Sequence, residues 1–160
     1  MTILDHLAAH ARNRVAADQA ENSLDVLQAQ CRARGRAHGA RFRGALEKPG
    51  LSFICEVKRA SPSKGVIAEN FPYLEIARDY ERAGADAISC LTEPKWFLGS
   101  DQIFREIRGA VDTPMLRKDF TVDAYQLYQA RLLGADCVLL ICALLDTGTL
   151  ERYLGICEEL

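Results

Sequence analysis

Charged side chains stand at the ends of two apolar runs in this sequence. The run at residues 51–58 ends with Glu56 and Lys58, and the run at 114–118 ends with Lys118. If both runs are strands, a period of two places Glu56 and Lys58 on one face. Charges on an apolar strand are costly unless they are paired or used. The pattern therefore predicts either an ion pair at a strand end or a site in which a carboxylate and ammonium groups flank a substrate.

A lysine at such a place supports two kinds of chemistry. An ammonium group donates a proton to a developing oxyanion, whereas a neutral amine forms a Schiff base with a carbonyl. Lys58 and Lys118 end two different runs, and reactive side chains of parallel α/β sheets collect at the carboxyl ends of strands. The pair therefore favours one convergent basic site.

Two segments that follow strands carry further candidates. Residues 61–65 read S-P-S-K-G and form either a simple turn or a βα loop that brings the Ser61 hydroxyl and an amine over the site. Trp96 and Phe97 follow the next apolar run, where they either stack on an aromatic substrate or cover an apolar face.

Short apolar runs alternate with amphipathic segments from residue 51 onward. The predicted strands cover residues 51–58, 87–91, 114–118 and 137–142, and the predicted helices cover 73–83, 101–110, 123–133 and a segment from 146 to the end. This alternation is typical of a parallel sheet. The tripeptide G-A-D recurs at Gly84 and Gly134, where each glycine is expected to end a helix. The spacing is that of a (β/α)8 barrel, although a doubly wound sheet can share it.

The first 48 residues differ from the rest. They contain three predicted helices, at 2–19, 23–34 and 42–47, and are interpreted as a helical extension (1–48) before a barrel segment (49–160). A basic cluster in this extension is expected to be a solvated helix face rather than a polyanion-binding patch. Its members are Arg32, Arg34, Arg36, Arg41 and Arg43.

Composition narrows the classes of function. A net charge of −2 argues against a nucleic-acid clamp, and the apolar run at 137–145 is too short to cross a bilayer. The N-terminus shows no signal-peptide pattern, and free cysteines in the strands fit a reducing compartment, so a cytoplasmic location is expected. His6 and His10 have helical spacing, but no further ligand accompanies them, so no metal is expected.

Three blocks of the sequence, taken together, resemble indole-3-glycerol phosphate synthases. They are E-V-K-R-A-S-P-S-K-G at 56–65, L-T-E-P-K-W-F-L-G-S at 91–100 and L-R-K-D-F at 116–120, in family order. The N-terminal helices also resemble the extension of that family, so the resemblance covers essentially the whole chain. It implies a (β/α)8 TIM barrel, of which this chain supplies about the first four βα units.

The resemblance implies a carboxy-lyase of tryptophan biosynthesis that needs no cofactor. Its small phosphorylated aromatic substrate, 1-(2-carboxyphenylamino)-1-deoxyribulose 5-phosphate, is cyclised and decarboxylated to indole-3-glycerol phosphate. By this resemblance Lys118 is the general acid, Lys58 binds the substrate carboxylate or assists proton transfer, and Glu56 orients both lysines. The residues implied to contact the substrate are Ser61, Phe97, Phe120 and Leu139.

The resemblance also predicts what four βα units omit. The family's second glutamate, its Asn and Arg substrate contacts and its phosphate site are expected on strands beyond Leu160. An isolated chain is then expected to self-associate through its open half-barrel. Two alternatives stay open, namely a catalytically incomplete fragment or assembly module, and another phosphate-handling barrel in which Lys118 forms a Schiff base.

Overall fold

The computed structural model describes residues 2–35 and 40–160, so Arg36 of the basic cluster lies outside the described residues. The chain divides into two compact units. One takes the described N-terminal residues up to 35 with Phe120–Leu132 and Leu139–Leu160, and the other takes residues 40–119 with Leu133–Val138. A domain boundary after residue 48 stays a prediction.

The second unit is built on a sheet of four parallel strands. These strands are β1 (Ile54–Val57), β4 (Ala87–Leu91), β5 (Met115–Lys118) and β6 (Cys137–Val138), paired in the order β1-β4-β5-β6. A separate antiparallel pair consists of β2 (Ala60–Ser61) and β3 (Gly65–Val66). The helices of this unit are α3 (Arg41–Leu46), α4 (Tyr73–Arg82) and α5 (Asp101–Ala110). The parallel α/β sheet expected from the alternation of runs is confirmed.

One face of this sheet carries the core of the unit. Val57, Ile88, Cys90 and Met115 are buried in one cluster with Phe104 of α5. Alternation along each strand therefore turns the intervening residues to the opposite face. The sheet has one apolar face against helices and one face on which polar groups can gather.

The G-A-D repeat plays the same structural role at both of its positions. The carboxylate of Asp86 accepts the N–H of Phe53 at 2.8 Å, and the N–H of Asp86 donates to the Phe53 carbonyl at 3.0 Å. Asp136 makes the same two bonds with Met115, at 2.8 and 2.9 Å. Each aspartate thus ties the start of its own strand to the start of the neighbouring strand.

The first unit is helical. Its helices are α1 (Ile3–Glu21), α2 (Leu24–Ala33), all but the last residue of α6 (Tyr125–Leu133), and α7 (Thr147–Glu159). Val15, Leu27 and Tyr125 are buried in one cluster. The Tyr125 hydroxyl donates to the carbonyls of Asp18 and Asn22, at 3.2 and 2.8 Å, so α6 is tied to the end of α1.

The predicted elements agree closely with the structure except at two strands. β4 and α5 match residue for residue, and positive φ values of 82° at Gly84 and 87° at Gly134 confirm that both glycines end helices. β1 begins at Ile54 rather than at residue 51, and β6 ends at Val138 rather than at residue 142. β5 pairs with β6 only through its two central residues and itself ends at Lys118, which limits how far β6 extends. The S-P-S-K-G turn is present, but it connects two short strands that the sequence did not predict.

Within residues 2–35 and 40–160, no helix is both long and apolar enough to cross a membrane. Nor do three or more His, Cys, Asp or Glu side chains gather into a metal site in the part of the chain that the structure describes.

We predict that Asp136→Ala destabilises the second unit. Asp136 also accepts a hydrogen bond from Arg108 at 3.1 Å, and both side chains are largely buried. Its removal deprives the Met115 N–H and the guanidinium of this acceptor, so the free energy of unfolding falls by about 2–3 kcal/mol. Urea denaturation followed by circular dichroism measures the change. Asp79→Ala is the control, because Asp79 pairs with Arg82 on an exposed surface, and it costs about 0.5 kcal/mol or less. Equal losses in the two variants would contradict the role of the G-A-D aspartate.

Candidate active site

Glu56, Lys58 and Lys118 meet at the carboxyl end of the sheet. Lys58 Nζ donates to Glu56 Oε1 at 2.6 Å, and Lys118 Nζ donates to Glu56 Oε2 at 2.8 Å. The side chains of Lys58, Lys118 and Glu56 are 33%, 35% and 28% exposed. The structure thus brings together the three residues that were predicted to be catalytic, and it leaves them in reach of a ligand from solvent.

Strand register produces this convergence. Parallel pairing sets Glu56 opposite Ser89 and Leu91 opposite Lys118. Because Val57 points into the apolar core, Glu56 must point to the other face of β1. The Ser89 hydroxyl lies 3.5 Å from Glu56 Oε2 and adds a third donor to that carboxylate.

The two lysines control the ionisation of Glu56. Partial burial acts to raise the pKa of the Glu56 carboxyl, but the hydrogen bonds and charges of Lys118 and Lys58 outweigh it and hold the pKa below its ordinary value of 4.5. Glu56 is therefore ionised at neutral pH and keeps both ammonium groups in place.

This arrangement suits the binding of anions and the donation of protons. Each ammonium group has three N–H donors, and Glu56 takes one from each lysine. A developing oxyanion beside them is stabilised by donors that are already oriented. The structure shows the ion pair that the sequence offered as one alternative. The ligand site offered as the other alternative involves the same three residues and stays a prediction.

Buried polar groups fix the backbone around Lys118. Thr92 N donates to the Lys118 carbonyl at 3.1 Å, and the Thr92 hydroxyl donates to Asp119 Oδ2 at 2.7 Å. Arg117 points to the opposite face of β5, where it is buried and binds Asp101 Oδ1 at 2.9 Å. These contacts hold the chain on both sides of Lys118.

The loop between β4 and α5, residues 92–100, carries Phe97. The Glu93 carboxylate accepts the backbone N–H groups of Lys95, Trp96 and Phe97 at 3.0, 2.7 and 3.1 Å. Lys95 Nζ lies 4.6 Å from the centre of the Trp96 ring, a cation–π contact. The half-buried Phe97 therefore stands in a loop whose shape its own glutamate maintains.

Ser61 lies in β2, at the start of the short hairpin after β1. Its hydroxyl oxygen accepts the N–H of Lys64 at 3.2 Å and lies 3.4 Å from the Ser63 hydroxyl. Ser61 therefore closes the S-P-S-K-G turn, and its contact with a substrate stays a prediction.

Phe120 and Leu139 belong to the helical first unit, whereas Glu56, Lys58 and Lys118 belong to the second. Phe120 follows Lys118 by two residues, and its carbonyl accepts a hydrogen bond from Gln126 Nε2 at 3.0 Å. Leu139 directly follows β6. Their contribution to a substrate site stays a prediction.

Comparison with known proteins gives the family. The family model for indole-3-glycerol phosphate synthase matches residues 4–160. The chain belongs to the indole-3-glycerol phosphate synthase family. An indole-3-glycerol phosphate synthase of Ruminiclostridium cellulolyticum is 52% identical over 99% of this chain and 61% of its own length. One of Endomicrobium trichonymphae is 46% identical over the same shares, and one of Lachnoclostridium phytofermentans is 55% identical over 74% of this chain and 44% of its own length.

The chain spans about 61% of the length of the first two of these synthases. Indole-3-glycerol phosphate synthases are (β/α)8-barrel proteins, and the four parallel strands and their helices agree with part of such a barrel. The resemblance based on the three sequence blocks is thus confirmed at the level of the family.

Sequence reasoning missed several residues that support the site of this synthase-family chain. Ser89 was not predicted because a serine inside an apolar run does not indicate a contact with Glu56 until the pairing of the two strands is known. Glu93 lies in the sequence block at 91–100, but no role was predicted for it. The structure shows that it is completely buried. Thr92 and Asp119 lie in two of the three sequence blocks, but the hydrogen bond that joins them was not predicted.

We predict that Glu56→Gln lowers stability in a pH-dependent way. A carboxylate whose pKa is lower in the folded state stabilises that state above its unfolded pKa, and the contribution disappears as the pH falls through the folded pKa. The wild type is therefore more stable than Glu56→Gln at about pH 7, and the difference shrinks as the pH drops below about 4.5.

Urea midpoints measured across this range test the prediction. Glu75→Gln is the control, because Glu75 is an exposed glutamate of α4. A difference between wild type and Glu56→Gln that stays constant with pH would show that the two lysines do not depend on the Glu56 charge.

Proposed function

We propose that this chain carries the lysine pair with which an indole-3-glycerol phosphate synthase closes the indole ring. The observation that supports this most strongly is the Glu56 carboxylate, which holds the Lys58 and Lys118 ammonium groups 2.6 and 2.8 Å from its two oxygens. Family membership supplies the substrate class, a phosphorylated sugar chain attached to an aromatic carboxylate.

In the proposed reaction, the aromatic ring carbon attacks the carbonyl carbon of the 1-(2-carboxyphenylamino)-1-deoxyribulose 5-phosphate chain. The new carbon–carbon bond pushes the carbonyl π electrons onto oxygen, and Lys118 Nζ gives that oxygen a proton. Breaking the bond to the carboxylate releases carbon dioxide and returns its electron pair to the aromatic ring. The hydroxyl group then leaves with a hydrogen of the neighbouring carbon of the new ring as water, and the electron pair of that C–H bond forms the double bond of the indole. A positioned general acid lowers the barrier of the first step because it neutralises the oxygen while the charge develops.

Lys58 is proposed to bind the carboxylate of the aromatic ring or to assist proton transfer. The positive charge of Lys58 favours an anion beside it, and Glu56 binds both Lys58 and Lys118. Phe97, Phe120 and Leu139 are proposed to form an apolar wall beside the ring, and Ser61 is proposed to contact the substrate from the first loop. An apolar wall excludes water and strengthens the electrostatic contacts beside it.

We predict that Lys118→Ala lowers kcat by about a hundredfold or more, since a general acid contributes about 10²–10⁴. The protein for the assay is the 160-residue chain itself and, in parallel, a chimera in which this chain replaces the matching 61% of the Ruminiclostridium cellulolyticum synthase. Indole fluorescence measures product formation.

Lys48→Ala is the matched control, because Lys48 pairs with Asp86 just before the amino end of β4, away from the strand ends that carry the site. Unchanged turnover in Lys118→Ala would reject the proposed general acid. Borohydride trapping of a keto-phosphate on Lys118 would instead support Schiff-base chemistry.

We also propose that the 160-residue chain associates with a second copy through the β1 side of its sheet. Within the described residues β1 pairs with β4 alone, and apolar side chains beside it and on it are exposed, with Leu51 80% and Phe53 60% exposed. An unpaired strand edge next to apolar surface favours association.

Sedimentation velocity tests this self-association. Phe53→Lys places a charge at the proposed contact and shifts the distribution toward monomer, whereas Val26→Lys, at an exposed position of α2, leaves it unchanged. A wild-type chain that stays monomeric at every concentration would contradict the proposal.

We infer a cytoplasmic location for the chain. Burial raises the pKa of the Cys90 thiol in β4 to about 12, so this cysteine behaves as a small hydrophobic side chain. Core thiols of this kind persist in a reducing compartment.

A further inference from the structure

The loop of residues 92–100 is held in a tight shape. A Cβ at Gly99 would lie 2.2 Å from the Leu91 carbonyl oxygen, so the two backbones approach too closely for any side chain. Gly99 N donates to the Glu93 carbonyl at 2.9 Å, and Leu98 has a φ of 53°, in the left-handed region. The end of the loop is therefore folded back onto its beginning.

The buried Glu93 side chain stabilises this loop conformation through hydrogen bonds to the loop backbone. A buried carboxylate is costly unless it is hydrogen-bonded, and Glu93 accepts three consecutive backbone N–H groups while it is 0% exposed. Oε2 accepts two of them, from Trp96 and Phe97, and Oε1 accepts the third, from Lys95. The carboxylate thus gathers the backbone of the residues that present the two aromatic rings of the loop.

We propose that Glu93 is a positioning residue that holds the loop in the shape that presents Phe97 to the aromatic ring of the substrate. This inference rests on the proposed function, because it takes Phe97 as part of the substrate wall. The root of the loop supports it, since Thr92 is bonded to the chain at Lys118 and Asp119. The loop is therefore attached directly to the strand end that carries the general acid.

Glu93→Gln isolates the role of the carboxylate. The amide has the same size but only one acceptor oxygen, and its NH₂ group turns donors toward backbone donors. The loop then spends more time in shapes that misplace Phe97. If the competent fraction falls to about a tenth, the dissociation constant for an aromatic ligand rises about tenfold.

The chain contains one tryptophan, Trp96, which reports on this loop directly. Acrylamide quenching of Trp96 fluorescence in the 160-residue chain measures loop order without any ligand. Energy transfer from Trp96 to anthranilate measures binding of the aromatic carboxylate that the substrate contains. The variants are Glu93→Gln, Phe97→Ala and the double variant.

Glu81→Gln is the matched control for general destabilisation. Glu81 also accepts two backbone N–H groups, from Asp112 and Thr113, together with the Thr113 hydroxyl. The loop that it holds, residues 111–114, carries none of the candidate site residues. It is expected to change neither the quenching of Trp96 nor the binding of anthranilate.

The expected result is that Glu93→Gln makes Trp96 more accessible to acrylamide and weakens anthranilate binding about tenfold, with no additional loss when Phe97→Ala is already present. Unchanged quenching in Glu93→Gln would overturn the inference. An equal weakening with and without the Phe97 ring would also overturn it, since Glu93 would then act through another group.

Absence of anthranilate binding by the wild type would have a separate meaning. Together with a normal Trp96 response to Glu93→Gln, it would reject the proposed function and the substrate role of Glu93, while the hydrogen-bonded loop would remain. Anthranilate binding therefore tests the proposed function, and quenching of Trp96 tests whether the loop depends on Glu93.

Discussion

The parallel register of β1, β4 and β5 is the constraint on which the second unit depends. Helices α4 and α5 cover one face of the sheet, so the strand residues on that face are apolar, apart from Arg117, which is paired with Asp101. The residues in between are directed to the opposite face, where Glu56 and Lys118 stand on strands that are separated by β4. A slip of one residue in β1 or β5 would turn Glu56 or Lys118 toward the core and a core side chain toward the opposite face.

Carboxylates that accept backbone N–H groups recur around this sheet. Asp86 and Asp136 connect strand starts, Glu81 holds the loop before β5, and Glu93 holds the loop after β4. The Thr113 N–H lowers the pKa of Glu81, and Lys48 and the Phe53 N–H lower the pKa of Asp86, so both carboxyl groups are ionised across the neutral range. An ionised acceptor fixes a loop more strongly than a neutral one does, because its hydrogen bonds are charge-assisted.

The sequence made the sheet predictable because its strands are short apolar runs, two of which directly follow a G-A-D tripeptide. Glu56, Lys58 and Lys118 were predictable from two rules, the period of a strand and the location of reactive groups at the carboxyl ends of parallel strands. The role of Glu93 was not predictable, since the three N–H groups that it accepts belong to the backbone of its own loop and a loop glutamate is ordinarily expected in solvent. β6 was predicted too long because apolar content alone does not reveal where a neighbouring strand ends.

The repeated aspartates also bear on the order in which the chain can fold. Asp86 bonds to a residue 33 positions earlier, and Asp136 bonds to one 21 positions earlier. Closing such short loops costs little chain entropy, and a low contact order favours fast folding. During synthesis from the N-terminus, each of these strands can therefore pair with a strand that has already emerged from the ribosome, before the following βα unit has emerged.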